Sequence, residues 1–287
     1  MDEHPLIQTL LREDFPPLLK EMLDPPEFLR IRGTLSPPEY KYLCVVGSRS
    51  YSPYGKDVCE RLIAGLAGYP IVIVSGLALG IDGIAHTAAL RAGLPTIGVP
   101  GSGLSEKILY PRAHVGLSRE IVAKGGALIS ELPDDSEATV WSFPKRNRLM
   151  AGMCHAILIV EAREKSGTLI TARLGMEYNR DVLVVPSQFF SASGAGSNRL
   201  LRECAQVVTS SDDILEALHI AKESAQEKQI ENLSDEEKGI VDALTIPCDR
   251  DTLIRASKLP AHRAQIIISA MELKGLITER LGMIERT

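Results

Sequence analysis

From Lys41 onward the chain keeps returning to one device, a short unbroken aliphatic run followed by a segment with the spacing of a helix. The runs are YLCVVG (42–47), IVIVSG (71–76), PTIGVPG (95–101), ALISE (127–131), AILIVEA (156–162) and VLVVP (182–186), about 25–30 residues apart. Between them, Tyr54–Leu66, Ile81–Ala92 and Leu169–Tyr178 space their apolar residues at helical intervals. A strand that is apolar throughout must be covered on both faces, and parallel neighbours need a helix-length return path. Right-handed returns then lead to an α/β fold, a doubly wound, Rossmann-like parallel sheet. QVVTS (206–210) adds a candidate edge strand. Only 5% of the residues are aromatic, so the core has to be aliphatic, as such sheets are.

The flanks read differently. Residues 1–40 hold three proline pairs (16–17, 25–26 and 37–38) around LLKEML and read as a packed-on N-terminal arm. Residues 41–215 form the Rossmann-like domain, and the polar stretch 216–233 (EALHIAKESAQEKQIENL) reads as a linker. Residues 234–287 make a second, small domain. Ser234 with Glu237 three residues on is a capping box ahead of Ile240, Val241 and Leu244. Further helices are predicted over Asp251–Leu259 and Pro260–Leu276, and ITERLGMIERT alternates around Gly282 like a hairpin. Three helices and a hairpin are the winged-helix pattern. Eight Lys and Arg stand against ten Asp and Glu over residues 230–287, which favours protein contact or weak DNA contact over a strongly basic DNA reader.

Several function classes are excluded early. Met1-Asp2-Glu3-His4-Pro5 is acidic with no apolar stretch behind it, so no signal peptide is expected there, and no run reaches the ~18 apolar residues of a membrane span. Cys44, Cys59, Cys154, Cys204 and Cys248 are scattered without metal or redox spacing, as in a reduced, cytoplasmic protein. No GxxxxGK[ST], GxGxxG, GxSxG or HExxH occurs, and the six histidines show no ligand spacing, so no cofactor, metal or catalytic residue is expected. Asp82 and His86 stand four residues apart, a spacing that admits an acid/base pair but reads more simply as a hydrogen bond fixing a loop.

Ligands of open α/β sheets sit beyond the carboxyl ends of the strands. There the sequence places Gly47-Ser48-Arg49-Ser50, then Ser75-Gly76 with Gly80-Ile81-Asp82, then Gly101-Ser102-Gly103, and after the fifth run Glu161 and Ser166-Gly167-Thr168. Small residues let backbone N–H groups and helix N-termini approach an anion. Near them lies FPKRNRLM (143–150), with Lys145, Arg146, Asn147 and Arg148 in a chain of net charge -5 and no Asp or Glu between Glu137 and Glu161. Cations in a first helical turn oppose the helix dipole, which calls for a bound anion to offset them. Trp141 and Phe143 add ring faces for base stacking. A polyanion that stacks points to single-stranded nucleic acid.

These stretches are similar to those of a known family. GSRSYSPYG (47–55), SGLALGIDGIAH (75–86), YP (110–111), ISELP (129–133), FPKRNRLMAGM (143–153), VEAREKSGTLITA (160–172) and GAGSNRLL (194–201), with the approach LDPPEFLRIRG (23–33), resemble the DNA-processing protein A (DprA/Smf) family over roughly residues 15–215. The C-terminal segment resembles the winged-helix-like domain that many members carry. The resemblance implies an extended Rossmann-fold homodimer that is not an enzyme. It implies single-stranded DNA binding without sequence preference. It also implies loading of the RecA recombinase, with relief of single-strand-binding-protein inhibition, during natural transformation. By position it assigns the DNA pocket to Gly47, Ser48 and Arg49, to Lys145, Arg146, Asn147 and Arg148, and to Ser166, Gly167 and Thr168. The chain departs from the family pattern at Ser187 and Cys204-Ala205, where glycine and Gly-Ala are usual, in a longer 101–111 loop, and in lacking the longer N-terminal helical domain of many members.

Two other readings compete. SGTLIT (166–171) resembles the PGGxGTxxE loop of phosphoribohydrolases of the lysine-decarboxylase-like Rossmann group, with Thr171 where that group has its catalytic Glu. A nucleotide-sensing binding protein of the same fold would instead hold a small ligand in the pocket.

Overall fold

The computed structural model describes residues 6–203, 205–221, 234–244, 248–257, 259–273, 277–280 and 282–286. Cys204 and most of the expected linker, residues 222–233, lie outside them, as does the acidic start Met1–Pro5. The chain divides into two compact units, residues 1–220 and 221–287.

In the first unit every aliphatic run is a strand: β3 (Lys41–Val46), β4 (Ile71–Ser75), β5 (Thr96–Gly98), β6 (Ala127–Ser130), β7 (Ala156–Ile159) and β8 (Asp181–Val184), with the short β9 (Gln206–Val207) at the edge. These seven strands are parallel. Two antiparallel strands, β1 (Gln8–Leu11) and β2 (Phe28–Gly33), complete a sheet of order β1-β2-β6-β5-β4-β3-β7-β8-β9. Residues 8–11 and 28–33, within the stretch expected to be an arm, thus form an edge of the sheet. Their alternation is hidden because β2 carries Arg30 and Arg32 between its buried Leu29 and Ile31. Both arginines meet acids of other loops: Arg30 donates to Asp134, after β6, at 2.8 and 2.7 Å, and Arg32 pairs with Glu106, after β5, at 3.4 Å.

Strand residues alternate between two cores. Tyr42, Cys44, Val46, Val72 and Val74 face the layer holding Leu149, Met150 and Met153 of α5 (Ser142–Met153) and Ala172 of α6 (Thr168–Glu177). Leu43, Val45, Ile71 and Ile73 face Leu62 and Ile63 of α2 (Pro53–Ala64), Ala85 and Ala89 of α3 (Ile81–Arg91), and Ile214 of α8 (Ser211–Ala217). Period-2 side-chain placement on strands covered on both sides accounts for the unbroken aliphatic runs. Cys44, Cys59 and Cys154 are buried free thiols within these layers, and burial pushes the Cys59 thiol up to about 12. Among the described residues no helix is long and apolar enough to cross a membrane.

The second unit has the winged-helix order: helices Asp235–Ala243, Arg250–Ala256 and Ala261–Leu273, then strands Ile277–Arg280 and Met283–Arg286 paired antiparallel with Gly282 at φ +79 in the turn. The capping box is formed, Ser234 N–H donating to Glu237 Oε2 at 2.9 Å and Glu237 N–H to Ser234 Oγ at 3.3 Å. Ile240, Leu244, Leu253, Ile268, Met271, Ile277 and Ile284 build its core. Arg250 pairs with Glu272 at 2.6 Å and Glu279 at 3.0 Å, and Arg263 with Glu236 at 2.9 Å.

Candidate functional site

Strand β3 lies between β4 and β7, so successive crossovers leave it in opposite directions and the loops after β3 and β7 separate. Such switch points are where open α/β sheets hold ligands. Here they open a cleft of about 330 Å³, lined by residues 46–50, by Arg163 and the 165–168 turn, and by one face of α5.

The cleft walls are tied to each other. Ser48 N–H donates to the Glu161 carbonyl at 2.8 Å, and Ser52 N–H to Glu161 Oε2 at 2.8 Å. The buried Glu161 carboxylate therefore fastens the β3 loop to β7 and is occupied in doing so. Gly47 is required by packing, since a Cβ there would come within 2.7 Å of Ile81 Cγ1. Gly80 is required twice, by φ +91 and by the Ser48 carbonyl oxygen 2.4 Å from where its Cβ would be. At the start of α6, Thr168 N–H donates to Ser166 Oγ at 3.2 Å, and Ser166 Oγ donates to Thr168 Oγ1 at 2.9 Å. This presents small residues and hydroxyls to the cleft at a helix N-terminus.

Arg49, Arg163 and Lys165 are exposed along the cleft. The Arg49 guanidinium lies 5.3 Å above the centre of the Phe143 ring, a cation–π contact that holds the ring and the charge together. Phe143 is half-buried and packs on Tyr110, with ring centres 5.7 Å apart. Arg146 lies under the floor: it is buried, donates to the carbonyls of Gly76 and Val99, and faces Asp82. Burial lowers the Arg146 pKa and raises that of Asp82, and in each case the partner's opposite charge works against the shift. Asp82 also accepts the Gly76 N–H at 3.1 Å.

Eight of the expected residues come together at the cleft: Gly47, Ser48, Arg49, Arg146, Asn147, Ser166, Gly167 and Thr168. The other four lie elsewhere. Ser75 is buried and donates to the Val45 carbonyl at 2.6 Å, while Gly76 is the backbone support of Asp82 and Arg146. Lys145 stands 3.7 Å from Glu131, and Arg148 donates to Glu131 and, at 2.6 Å, to the Asp24 carbonyl. Helical phase explains the split. Phe143, Arg146, Asn147 and Met150 follow the i, i+3, i+4, i+7 spacing of one helix face and line the cleft, whereas Lys145 and Arg148 share another. The cations of α5 are offset by Glu131 and Asp82, carboxylates from other elements, so an external anion is not needed to account for them.

Arg163 and Lys165 were passed over in the sequence because Glu164 between them makes the stretch look neutral. The available signal was a cation on alternate residues directly ahead of the Ser-Gly-Thr turn. Asp82 and His86 do not act as a pair here: the buried His86 bonds through Nδ1 to Thr96 Oγ1 at 2.7 Å, and burial brings its pKa down to about 3. Trp141 is 83% exposed. The buried Thr171 lines the cleft at the position where a phosphoribohydrolase would carry its Glu. Among the described residues no group of His, Cys, Asp or Glu has the arrangement to hold a metal ion.

Comparison with known proteins adds the following. The family model described as DNA recombination-mediator protein A matches residues 7–219, and the DprA winged helix domain matches residues 224–283. Protein Smf of Escherichia coli K12 is 39% identical over 206 residues, which cover 72% of this chain and 54% of that protein. The DNA processing protein DprA of Streptococcus pneumoniae is 38% identical over 207 residues, 72% of either chain. The present chain thus spans about half the length of the Escherichia coli relative. The solved structure of Streptococcus pneumoniae DprA superposes with a TM-score of 0.68 at 36% identity, over 75% of this chain and 74% of that one. Helicobacter pylori DprA, solved in a study of its single-stranded DNA binding mode, superposes with a TM-score of 0.66 at 31% identity, over 76% of this chain and 98% of that one.

Proposed function

This chain belongs to the DNA recombination-mediator protein A family, and we propose that it binds single-stranded DNA in the cleft between β3 and β7 and acts, without catalysis, as a recombination mediator. The observation that carries the reading is the cleft itself: Arg49, Arg163 and Lys165 exposed around it, with Gly47, Ser48 and the Ser166-Gly167-Thr168 turn supplying close backbone approach. Phosphates would meet the cations and the α6 N-terminus, and a base would stack near Phe143. None of this depends on base identity, so binding is indifferent to sequence. The Asp82 and Glu161 carboxylates are engaged with backbone N–H groups rather than left free as an acid/base pair, which supports the non-catalytic reading.

Within this reading Arg146 is a support, holding the loop after β4 against α5, and Lys145 and Arg148, paired with Glu131, brace α5 rather than meet the strand. In the cytoplasm the chain would act as a homodimer that delivers RecA recombinase to strands coated by single-strand-binding protein, as during natural transformation. The winged-helix unit, with Arg250 and Arg263 already paired to acids, is assigned to protein contact.

Anisotropy of a labelled dT oligomer titrated with the full chain tests the binding. The logarithm of affinity should fall linearly with the logarithm of salt concentration, by about 0.7 per phosphate neutralised. Arg163→Glu with Lys165→Glu should abolish binding without moving the thermal transition. Binding that is indifferent to salt and to that reversal would refute the site. For mediation, RecA filament growth on strands precoated with single-strand-binding protein should accelerate on adding the chain. A mononucleotide that binds as tightly as the oligomer would favour a sensor instead.

A further inference from the structure

The most exposed aromatic groups among the described residues are not in the cleft. Phe189 and Phe190 are 87% and 95% exposed and stand edge to face, ring centres 5.0 Å apart, in the loop between β8 and α7 (Ala195–Arg202). The rings touch each other and are otherwise left to solvent within the described unit, although large apolar side chains are normally withdrawn from water.

That loop is rooted on the cleft walls. At its start the Pro186 carbonyl accepts a hydrogen bond from Tyr54 Oη at 2.9 Å, and Tyr54 opens α2 directly behind the β3 loop. At its end Gly196 N–H donates to the Ala162 carbonyl at 2.9 Å, and Ala162 N–H donates to Ser197 Oγ at 2.9 Å. A Cβ on Gly196 would come within 2.4 Å of the Arg163 carbonyl oxygen, so the root of the loop lies directly against the backbone that carries Arg163. Since β8 is the parallel neighbour of β7, the loop leaves the same sheet edge as the cleft, one strand further out.

Its composition suits a polyanion. No Asp or Glu occurs between Asp181 and Glu203, and the stretch beside the rings supplies Ser187, Gln188, Ser191 and Ser193. From this we infer that Phe189 and Phe190 form a base-stacking platform that extends the single-strand path outward from the cleft, past Arg163, across the end of β8. The occupant is single-stranded nucleic acid. The perpendicular rings take one base each, with the strand turning between them, and the Gln188 amide and one hydroxyl of the Ser191–Ser193 pair, whose Oγ atoms lie 2.7 Å apart, donate to the adjoining phosphates. The inference rests on the cleft being a single-strand site.

The experiment compares the full chain with the Phe189→Ala/Phe190→Ala variant on a dT oligomer of about 6 nucleotides and another of about 20, each over a salt series. Both positions are exposed, so the thermal transition should stay in place. The longer oligomer should lose at least tenfold in affinity, the shorter one little, and the salt slope should be unchanged because aromatic rings release no counterions. Trp141 is the sole tryptophan, so Phe190→Trp in a Trp141→Phe background makes position 190 the only indole, and the oligomer should quench it. If the alanine pair leaves the longer oligomer's affinity unchanged and the indole placed at position 190 is not quenched, the platform is overturned while the cleft reading stands; that is also the result expected if the rings dock a protein. If the unaltered chain binds no oligomer at all, both fall together.

Discussion

Replacement of Arg146 by Met separates support from ligand contact more sharply than any other single change. Met keeps most of the side-chain length and removes the guanidinium. The Gly76 and Val99 carbonyls lose their donor, and the buried Asp82 carboxylate loses its counter-charge. Each orphaned carbonyl costs about 1–3 kcal/mol, and leaving a buried carboxylate without its nearby counter-charge about 3–5 kcal/mol. These overlap because one group serves all three, so the net loss should be about 3–5 kcal/mol. For a unit of this size that lowers Tm by about 6–20 °C. The control is Lys145→Met, an exposed cation 3.7 Å from Glu131, whose loss should cost under about 1 kcal/mol. Urea unfolding followed by far-ultraviolet circular dichroism gives both values. Adding Asp82→Asn to Arg146→Met removes the stranded charge and should recover about 1–3 kcal/mol through the coupling. An Arg146→Met chain within about 1 kcal/mol of the original, or a coupling of zero, would refute the argument and return Arg146 to the role of a ligand-binding cation.

Two further perturbations follow from the same geometry. His86 is held neutral by burial, at about 3 against an ordinary 6.5, so it contributes stability that is complete above pH 6.5 and is lost as pH falls toward 3. Between pH 6.5 and 5 this is about 2 kcal/mol, and His86→Asn, which keeps a polar atom for Thr96, should flatten the unfolding free energy over that window by about this amount; an unchanged slope would count against it. Gly80→Ala should cost about 1–3 kcal/mol, displace Arg49 and weaken oligomer binding at least tenfold. Gly93→Ala is its control, at φ +70 with nothing within 4 Å of the added methyl, and should lower Tm while leaving affinity alone.

The parallel strands were legible because burial on both faces writes the same signal at every position. A residue-by-residue search for aliphatic runs finds β3 through β8 within a few residues. Strand β2 was not legible on the same terms. Its buried Leu29 and Ile31 alternate with arginines whose acids, Asp134 and Glu106, lie far along the chain, so its polarity looks like that of a surface arm. The capping box at Ser234 was legible because both of its members lie within one turn. Local devices survive a linear reading, and compensations made across the fold do not.

The same distinction governs the site. Glycine and hydroxyl residues after strand ends are positional signals, and Gly47, Ser48 and Ser166–Thr168 reach the cleft as the topology requires. Charge is a poorer guide, because its meaning depends on what faces it. FPKRNR holds three cations within four residues, yet the helix turns about 100° at each step and sends them in different directions. Arg146 goes under the floor to Asp82, while Lys145 and Arg148 go to Glu131. AREK, with a glutamate that makes it look neutral, places Arg163 and Lys165 at the cleft because they sit on a loop beyond a strand end. A cation should therefore be weighed by its place relative to the strand ends before it is counted, and by that measure the EAREKSGT turn, rather than the denser cluster on α5, supplies the exposed charge on the β7 side of the cleft.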